Sequence, residues 1–370
     1  MKIGILTFHC AHNYGAVLQC YALQKVLKNM GYDVEVINYT PLYFVNFYHY
    51  FYWRRFISKK PLLLIKSTLS EFKILKKRYL RYQAFKQFIY KHISLSTKFC
   101  NNKKIPENYD IYIMGSDQIW NPNITSGFDS AYFGFFPFKK KDRIYISYAA
   151  SMGKTNLTPK ETEYFKHALK NFNGISVREE GLKKCLQQLT SQEIQTVLDP
   201  TLLLPLTAWE DILIKPTISE RYILVYQVRQ DDNTVRIAQL IAQQLNCQII
   251  EISANVRLGN KNRIKTLETC APEEFLGLIK YSTCVITTSF HGTVFSILFK
   301  KDFFCIKLND DSNSRSSSLL KIFNLSSRMI SKESSPQMTA INYKNVNYSN
   351  YEKLKQNSYE FLQRYIKQKQ

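Results

Sequence analysis

Two successive series of short apolar runs, each alternating with helical stretches, constrain this chain more than any other feature. In the first, KIGILTF (2–8) precedes AVLQCYALQKVLKNMG (16–31), whose terminal Gly31 suits a helix stop, and DVEVINY (33–39) follows. Strand, helix and strand at this spacing make a βαβ unit, which commits the chain to a parallel sheet covered by helices. The pattern resumes with YDIYIMGSD (109–117), RIYISYAAS (143–151), GISVRE (174–179) and IQTVLDPTLLL (194–204), with a loop or extra helix after Trp120. Pro205 to Glu220 reads as a boundary. Beyond it come RYILVYQV (221–228), CQIIEIS (247–253), CVITTS (284–289) and DFFCIKL (302–308), with helices expected at 234–245, 272–280, 291–299 and near 315–323. A polar stretch, 350–368, carries Leu354, Phe361, Leu362 and Tyr365 at helical spacing, a stripe suited to docking on a domain surface. The expected architecture is α/β: two Rossmann-like domains, 1–205 and 206–345, with a cleft between them and a terminal helix at 346–370.

A basic insertion interrupts the first series at about 43–105, helical by pattern from about 62 to 92. Between Tyr43 and Lys104 stand fifteen Lys and Arg against Glu71 alone, so this segment carries +14 of the chain's net +22. It is aromatic as well, opening YFVNFYHYFYWRRF. Such a stretch suits an anionic membrane surface, where each nearby cation contributes about 1 kcal/mol. A solvated helical face is the plain alternative, and nucleic acid, which also rewards mixed basic and aromatic residues, is the third reading. No apolar run approaches the roughly 20 residues of a membrane-spanning helix. The eight cysteines are scattered without a C-x-x-C pair and Met1 leads straight into a strand, so the expectation is a cytoplasmic protein with reduced thiols.

Polar clusters fall where strands end. In TTSFHGTVFS, Ser289-Phe290-His291-Gly292 joins a strand to a helix, and the open amides and positive dipole end of a helix start favour phosphate or carboxylate. His291 stands beside them as the candidate acid or base, a core or capping histidine being the alternative. FHCAHNYGA follows the first strand; Asn13 and Gly15 suit a turn into the helix, and His12, Asn13 and Tyr14 are placed at an acceptor pocket. His9, Cys10 and His12 are too crowded to be preferred as a tetrahedral metal site, and no G-x-G-x-x-G is present. In MGSDQIWNPN, Asp117 is read as a general base or sugar-hydroxyl acceptor, Trp120 as a stacking face and Asn121 as a polar neighbour; a capping Asp and a packed Trp are the rival readings. Arg178 in SVREE suits bidentate binding of an anion, or a surface pair with Glu179 or Glu180. Asp199 in LDPTLLL reads as structural, closing the first domain and capping. Arg315, in a polar loop entering a helix, converges on the same sheet edge as His291.

Taken in order, NYGA, GSDQIWNP, YAASMG, SVRE, LDPTLLL, SFHGTVFSI and a later R-x-x-x-LL resemble the polysaccharide pyruvyl transferase family over about residues 2–325. The resemblance implies a GT-B-like fold and transfer of the pyruvyl group of phosphoenolpyruvate to two sugar hydroxyls, giving a cyclic ketal and inorganic phosphate. It implies His291 as the family histidine, Arg178 as a donor-gripping arginine and phosphoenolpyruvate as co-substrate, with no cofactor or metal. Many members carry Arg-Leu-His where this chain has Ser289-Phe290-His291, so one phosphate-gripping charge is missing; Arg315 is the expected substitute. Arg178, Arg315, Ser289 and the helix start at Gly292-Thr293 are thus the donor set, with His291 and Asp117 catalytic. The expected acceptor is a lipid-linked or polymeric saccharide, a polyprenyl diphosphate carrier and a 4,6-hydroxyl pair of galactose type being favoured, at the inner face of the cytoplasmic membrane rather than on nucleic acid. Two rivals remain: a nucleotide-sugar glycosyltransferase with Asp310 or Asp311 on the ribose, and a non-enzymatic membrane-surface protein.

Overall fold

The computed structural model describes residues 1–48, 61–101, 104–138, 142–254, 256, 264–308 and 313–369, with the side chains of 61–72 excepted. Strands β1 (Lys2–Leu6), β2 (Asp33–Val36), β3 (Ile111–Asp117), β4 (Ile144–Ala150), β5 (Gly174–Val177) and β6 (Ile194–Thr196) form one sheet in the order β2-β1-β3-β4-β5-β6. Strands β7 (Tyr222–Gln227), β8 (Gln248–Ser253), β9 (Lys265–Leu267), β10 (Cys284–Thr287), β11 (Asp302–Ile306) and β12 (Met329–Ile330) form a second, β12-β11-β10-β7-β8-β9. All pairings are parallel, as in Ile3 opposite Ile111 and Ile223 opposite Cys284. Every residue of β3, β4 and β7 is buried, because helices on both faces leave no side of the sheet wet. The protein is therefore an α/β molecule of two Rossmann-like sheets with a cleft between them, the GT-B-like arrangement. Each sheet reverses its strand order once, between β1 and β3 and between β7 and β10. Helices diverge at such points and leave a crevice beyond the carboxyl ends of the strands.

Four elements depart from the sequence pattern. The apolar run expected as one strand at 194–204 leaves the sheet at Thr196, because Pro200 has no N–H for the ladder and opens a 3₁₀ turn capped by Asp199. The edge strands β9 and β12 are three and two residues long, too short to show a period. The first helix runs Tyr14–Asn29 with Asn13 as its N-cap, so Gly15 lies inside its first turn rather than in the turn before it.

The insertion forms the helix Pro61–His92. Its Ile74, Arg81, Phe85, Phe88 and Ile89 are buried in a helical stripe, while Lys73, Lys76, Lys77, Lys86 and Lys91 face solvent. Lys77 pairs with Glu268, and His92 lies 3.0 Å from Glu273, so this helix packs against the second half of the chain. Fully burying Phe85 and Phe88 contributes about 2–3 kcal/mol each. One stripe of this helix is thus committed to packing within the protein; Arg54, Arg55, Lys59, Lys60 and Lys103, and the side chain of Lys66, lie outside the described residues.

The C-terminal helix, Ser349–Lys367, returns to the first sheet. Phe361, Leu362 and Ile366 are buried, Tyr351 and Tyr359 donate to the carbonyls of Leu202 and Leu203, and Ser358 accepts from the Leu198 amide at 2.9 Å. The chain thus crosses between the two halves twice. No described helix is long and apolar enough to cross a membrane.

Candidate active site

A cleft of about 470 Å³ opens between the carboxyl edges of the two sheets. From the first half, Asn13 follows β1, Asp117 ends β3, and Lys154 lies in the loop after β4. From the second half, Arg229 follows β7 and Ser289 and His291 follow β10, with Arg315 from the helix Asn313–Ile322. Both switch points therefore feed one site.

Local structure fixes each group. Asp117 has φ +76°, a left-handed conformation that costs a non-glycine residue on the order of 1 kcal/mol and is held by hydrogen bonds from the Ile119 and Ser151 amides to its carbonyl. Ser289 caps the helix Phe290–Leu298, accepting from the Gly292 amide at 3.3 Å, while its own amide donates to Thr287 Oγ1 at 3.0 Å. This places His291 in the first helical turn. Gly15 of the opposite domain lies against its ring: a Cβ there would stand 2.0 Å from His291 Nδ1. Only glycine permits that approach, which gives NYGA a role no turn preference explains.

A buried carboxylate joins the two halves. Asp199 Oδ2 lies 2.6 Å from Arg178 Nη1 and 3.5 Å from His291 Nε2, and Oδ1 accepts from the Thr201 amide and hydroxyl at 3.1 and 2.6 Å. The His291 contact is an ion-pair distance, too long for a well-formed hydrogen bond. Burial alone would raise the Asp199 carboxyl; His291, Arg178 and Thr201 outweigh it and hold the group well below the usual carboxylate range. Arg178 also lies 3.4 Å from Glu179 and 3.7 Å from Asp117, with its guanidinium 4.6 Å from the centre of the Phe290 ring. Glu179 in turn accepts from Ser151 at 2.7 Å. Burial, then the neighbouring Arg178, lower the Arg315 value, against the pull of Glu179, Asp117 and Asp199.

Among the described residues, four buried polar atoms here lack a hydrogen-bond partner: Arg178 Nη2, Glu179 Oε2, His291 Nε2 and Arg315 Nε. A native interior leaves few such atoms, each costing about 1–3 kcal/mol, and a cluster of them marks a place that a ligand completes. Three are nitrogen atoms of cationic or protonatable groups. The arrangement can hold an anion and carry a proton at His291, with Asp199 to orient and balance the imidazole.

Of the residues expected at the site, Asn13, Asp117, Asn121, Ser289, His291 and Arg315 line this cleft. Others do not. Trp120 is fully buried, stacked on Phe133 and donating to the Tyr132 carbonyl, so it offers no face to a sugar. Tyr14 is fully buried between the domains, stacked on Phe275 and donating to the Cys270 carbonyl. His12 stacks on Phe85 and lines a separate hollow of about 120 Å³, where burial and Arg81 push its value down to about 3. Gly292 and Thr293 spend their amides on Ser289, so the open amides of this helix start are those of Phe290 and His291. Arg178 lines a smaller cavity behind Arg315, its fork spent on Asp199 and Glu179 with Nη2 left over. The acceptor roles of Trp120, Tyr14 and His12, and the amide roles of Gly292 and Thr293, are corrected accordingly.

Asp199 and Glu179 are the functional candidates that motif reading underrates. A signal existed: β5 and β6 are neighbours, so the residues just past each, Arg178 and Asp199, meet at one edge. Among the described residues no group of three His, Cys, Asp or Glu is placed to hold a metal ion. Asp310 and Asp311, the candidates for a ribose, lie outside the described residues.

Among solved structures, the chain is similar to UDP-GlcNAc 2-epimerase from Methanocaldococcus jannaschii, at 12% identity and TM-score 0.49 over 97% of this chain and 100% of that one. It is similar to the Neisseria meningitidis UDP-GlcNAc 2-epimerase bound to UDP-GlcNAc, at 11% identity and TM-score 0.48 over 98% and 100%. Anabaena HepE in complex with UDP and glucose is a third, at 11% identity and TM-score 0.47 over 83% and 81%. No curated protein matches the sequence. The family profile described as Polysaccharide pyruvyl transferase matches residues 13–310, most of the sequence and both walls of the cleft, and the chain belongs to that family.

Proposed function

We propose that the protein transfers the pyruvyl group of phosphoenolpyruvate to two hydroxyls of one sugar in a saccharide carried on a polyprenyl diphosphate, during surface polysaccharide synthesis. Family membership supports pyruvyl transfer in polysaccharide synthesis. The observation that carries the finer reading is a pair of buried nitrogens, Arg315 Nε and His291 Nε2, which have no hydrogen-bond partner among the described residues and belong to side chains lining the cleft, with Arg178 Nη2 in the smaller cavity behind Arg315. Phosphoenolpyruvate brings a phosphate and a carboxylate, each matched by charge-assisted hydrogen bonds.

In this scheme Arg315 takes the phosphate or carboxylate that Ser289 cannot, while Ser289 caps the His291 helix. His291 donates a proton to the CH₂ carbon of the donor, leaving positive charge at its C2, or, as imidazolium, assists the departing phosphate. Asp117 takes the proton of the attacking hydroxyl. The first sugar hydroxyl adds at C2, the C–O bond to phosphate breaks, and the second hydroxyl closes the ketal. Of the two hydroxyl protons, one balances the new methyl group and the other leaves with phosphate. Asp199, held ionised, faces the imidazole throughout. No cofactor or metal enters the scheme.

The +14 charge of the insertion and its solvent-facing lysines support docking at an anionic membrane surface on the cytoplasmic side, where a lipid-linked acceptor is presented. Co-sedimentation with anionic liposomes across rising salt checks that part; no binding at low salt removes it. The reaction is tested by phosphate release from phosphoenolpyruvate with a panel of lipid-linked and galactose-type acceptors, against nucleotide release from nucleotide sugars. His291→Ala is expected to lower turnover roughly 10²–10⁴-fold. Turnover near that of the wild type removes His291 from the mechanism, and nucleotide release in place of phosphate release removes the pyruvyl reading.

A further inference from the structure

Arg81 is buried, although the helix that carries it presents lysines to solvent elsewhere. Among the described residues no carboxylate pairs with it. Its Nη1 donates to the Tyr14 hydroxyl, the Ser253 carbonyl and the Glu268 carbonyl, each at 3.1 Å, and its Nη2 to the His12 carbonyl at 3.3 Å. The guanidinium also lies 5.1 Å from the centre of the Tyr14 ring and 4.9 Å from that of Phe85. One cation therefore ties together four pieces of chain: the insertion helix, the entry to the first helix in the first half, and, in the second half, the end of β8 and the segment following β9.

The consequence reaches the catalytic groups. His291 belongs to the second half and Asp199 to the first, so their 3.5 Å contact crosses the domain boundary and exists only while the halves are closed. Tyr14, which Arg81 grips, stacks on Phe275 of the second half at 4.5 Å, and the next residue, Gly15, abuts the His291 ring. Domains joined across a cleft move unless their interface holds them. Here the hold includes a planar, permanently charged fork that reaches several carbonyls at once and stacks between rings, which a lysine ammonium cannot do.

We propose that Arg81 is a positioning residue: by clamping the second domain to the first at Tyr14, it seats Gly15 against His291 and keeps His291 at Asp199. The basic insertion then acts as an inter-domain strap as well as a charged surface. The kinetic side of this inference rests on the pyruvyl-transfer reading; the conformational side does not.

The test uses Arg81→Met, which keeps much of the volume, and Arg81→Lys, which keeps the charge but reaches fewer carbonyls and is the variant to rely on if the first folds poorly. In the phosphate-release assay kcat is expected to fall about 10²-fold for Arg81→Met and roughly tenfold for Arg81→Lys. KM for phosphoenolpyruvate should change less than threefold, because Arg315 is untouched. Combining Arg81→Lys with His291→Ala should be no slower than His291→Ala alone; losses that multiply, or a wild-type kcat in both Arg81 variants, overturn the proposal. Small-angle scattering of the same proteins should show a larger radius of gyration in the Arg81 variants, and an unchanged profile overturns the clamp. Should the wild type release no phosphate, the functional reading falls by itself and scattering decides the clamp.

Discussion

Gly15→Ala tests the core of the site with one carbon atom. An added Cβ would lie 2.0 Å from His291 Nδ1, 2.5 Å from Cγ and 2.7 Å from Cε1. Ordinary contact is about 3.5 Å, so ring and helix must part by roughly 1.5 Å. The ring has little room to yield: His291 is buried, with Asp199 at 3.5 Å on its Nε2 side and the Phe290 ring edge-on, centroids 5.0 Å apart. Two stability terms nearly offset each other. Alanine favours the helix over glycine by about 1 kcal/mol, and overpacking costs about 1–3 kcal/mol. A net loss of about 0–2 kcal/mol moves Tm by only a few degrees in a chain of this size. Misplacing a catalytic group by about 1 Å, by contrast, costs on the order of 10²-fold in rate. The expected result is a folded variant with Tm within a few degrees of the wild type and kcat for phosphate release reduced about 10²-fold. A kcat within threefold of the wild type would refute the reasoning, since it would mean that the Gly15–His291 contact does not place the histidine.

Three further outcomes follow from the same geometry. Arg315→Ala removes a cation whose buried Nε has no hydrogen-bond partner among the described residues and should raise KM for phosphoenolpyruvate about 10–100-fold, the worth of one charge-assisted hydrogen bond; an unchanged KM ends its role as the replacement donor charge. Asp199→Asn deprives Arg178 of its partner at 2.6 Å and should cost about 3 kcal/mol in a denaturant titration, whereas equal stability would show that the pair is dispensable. His12 is held neutral by burial and by Arg81, at about 3 against an ordinary 6.5. The unfolded chain binds that proton first, so the stability His12 contributes is fully present above pH 6.5 and is lost as pH falls toward 3. By pH 4 that loss is roughly 3 kcal/mol, with His9 lowered in the same direction. The melting curve of His12→Phe should be flatter across this range, and an unaltered slope would place the acid sensitivity elsewhere.

The period of the apolar residues determined a good deal without a structure. KIGILTF, DVEVINY and their successors could only be strands of buried parallel sheets, and the Pro205–Glu220 break marked where one series gives way to another. Strand ends are where helix starts and loops gather, so Asp117, Ser289, His291 and Arg315 were identifiable as neighbours of one cleft from their positions alone. These inferences rest on short-range patterns and on the topology rule for parallel sheets.

What a residue touches across the cleft is another matter. Trp120, placed among polar residues in GSDQIWNP, looked like a stacking platform; packing against Phe133 and Phe165 buried it. Asp199 looked like a cap and is one, yet its second oxygen lies 3.5 Å from a histidine of the other domain. Gly15 looked like a turn residue and is instead the gap into which His291 fits. Arg81 was one of fifteen cations in a basic stretch until its carbonyl partners singled it out. The sequence by itself determined the two sheets and the edges where chemistry gathers, because strand and helix periods are local. Only the tertiary structure decided which side chains meet there, because those contacts join residues far apart in the chain and depend on how one domain closes on the other.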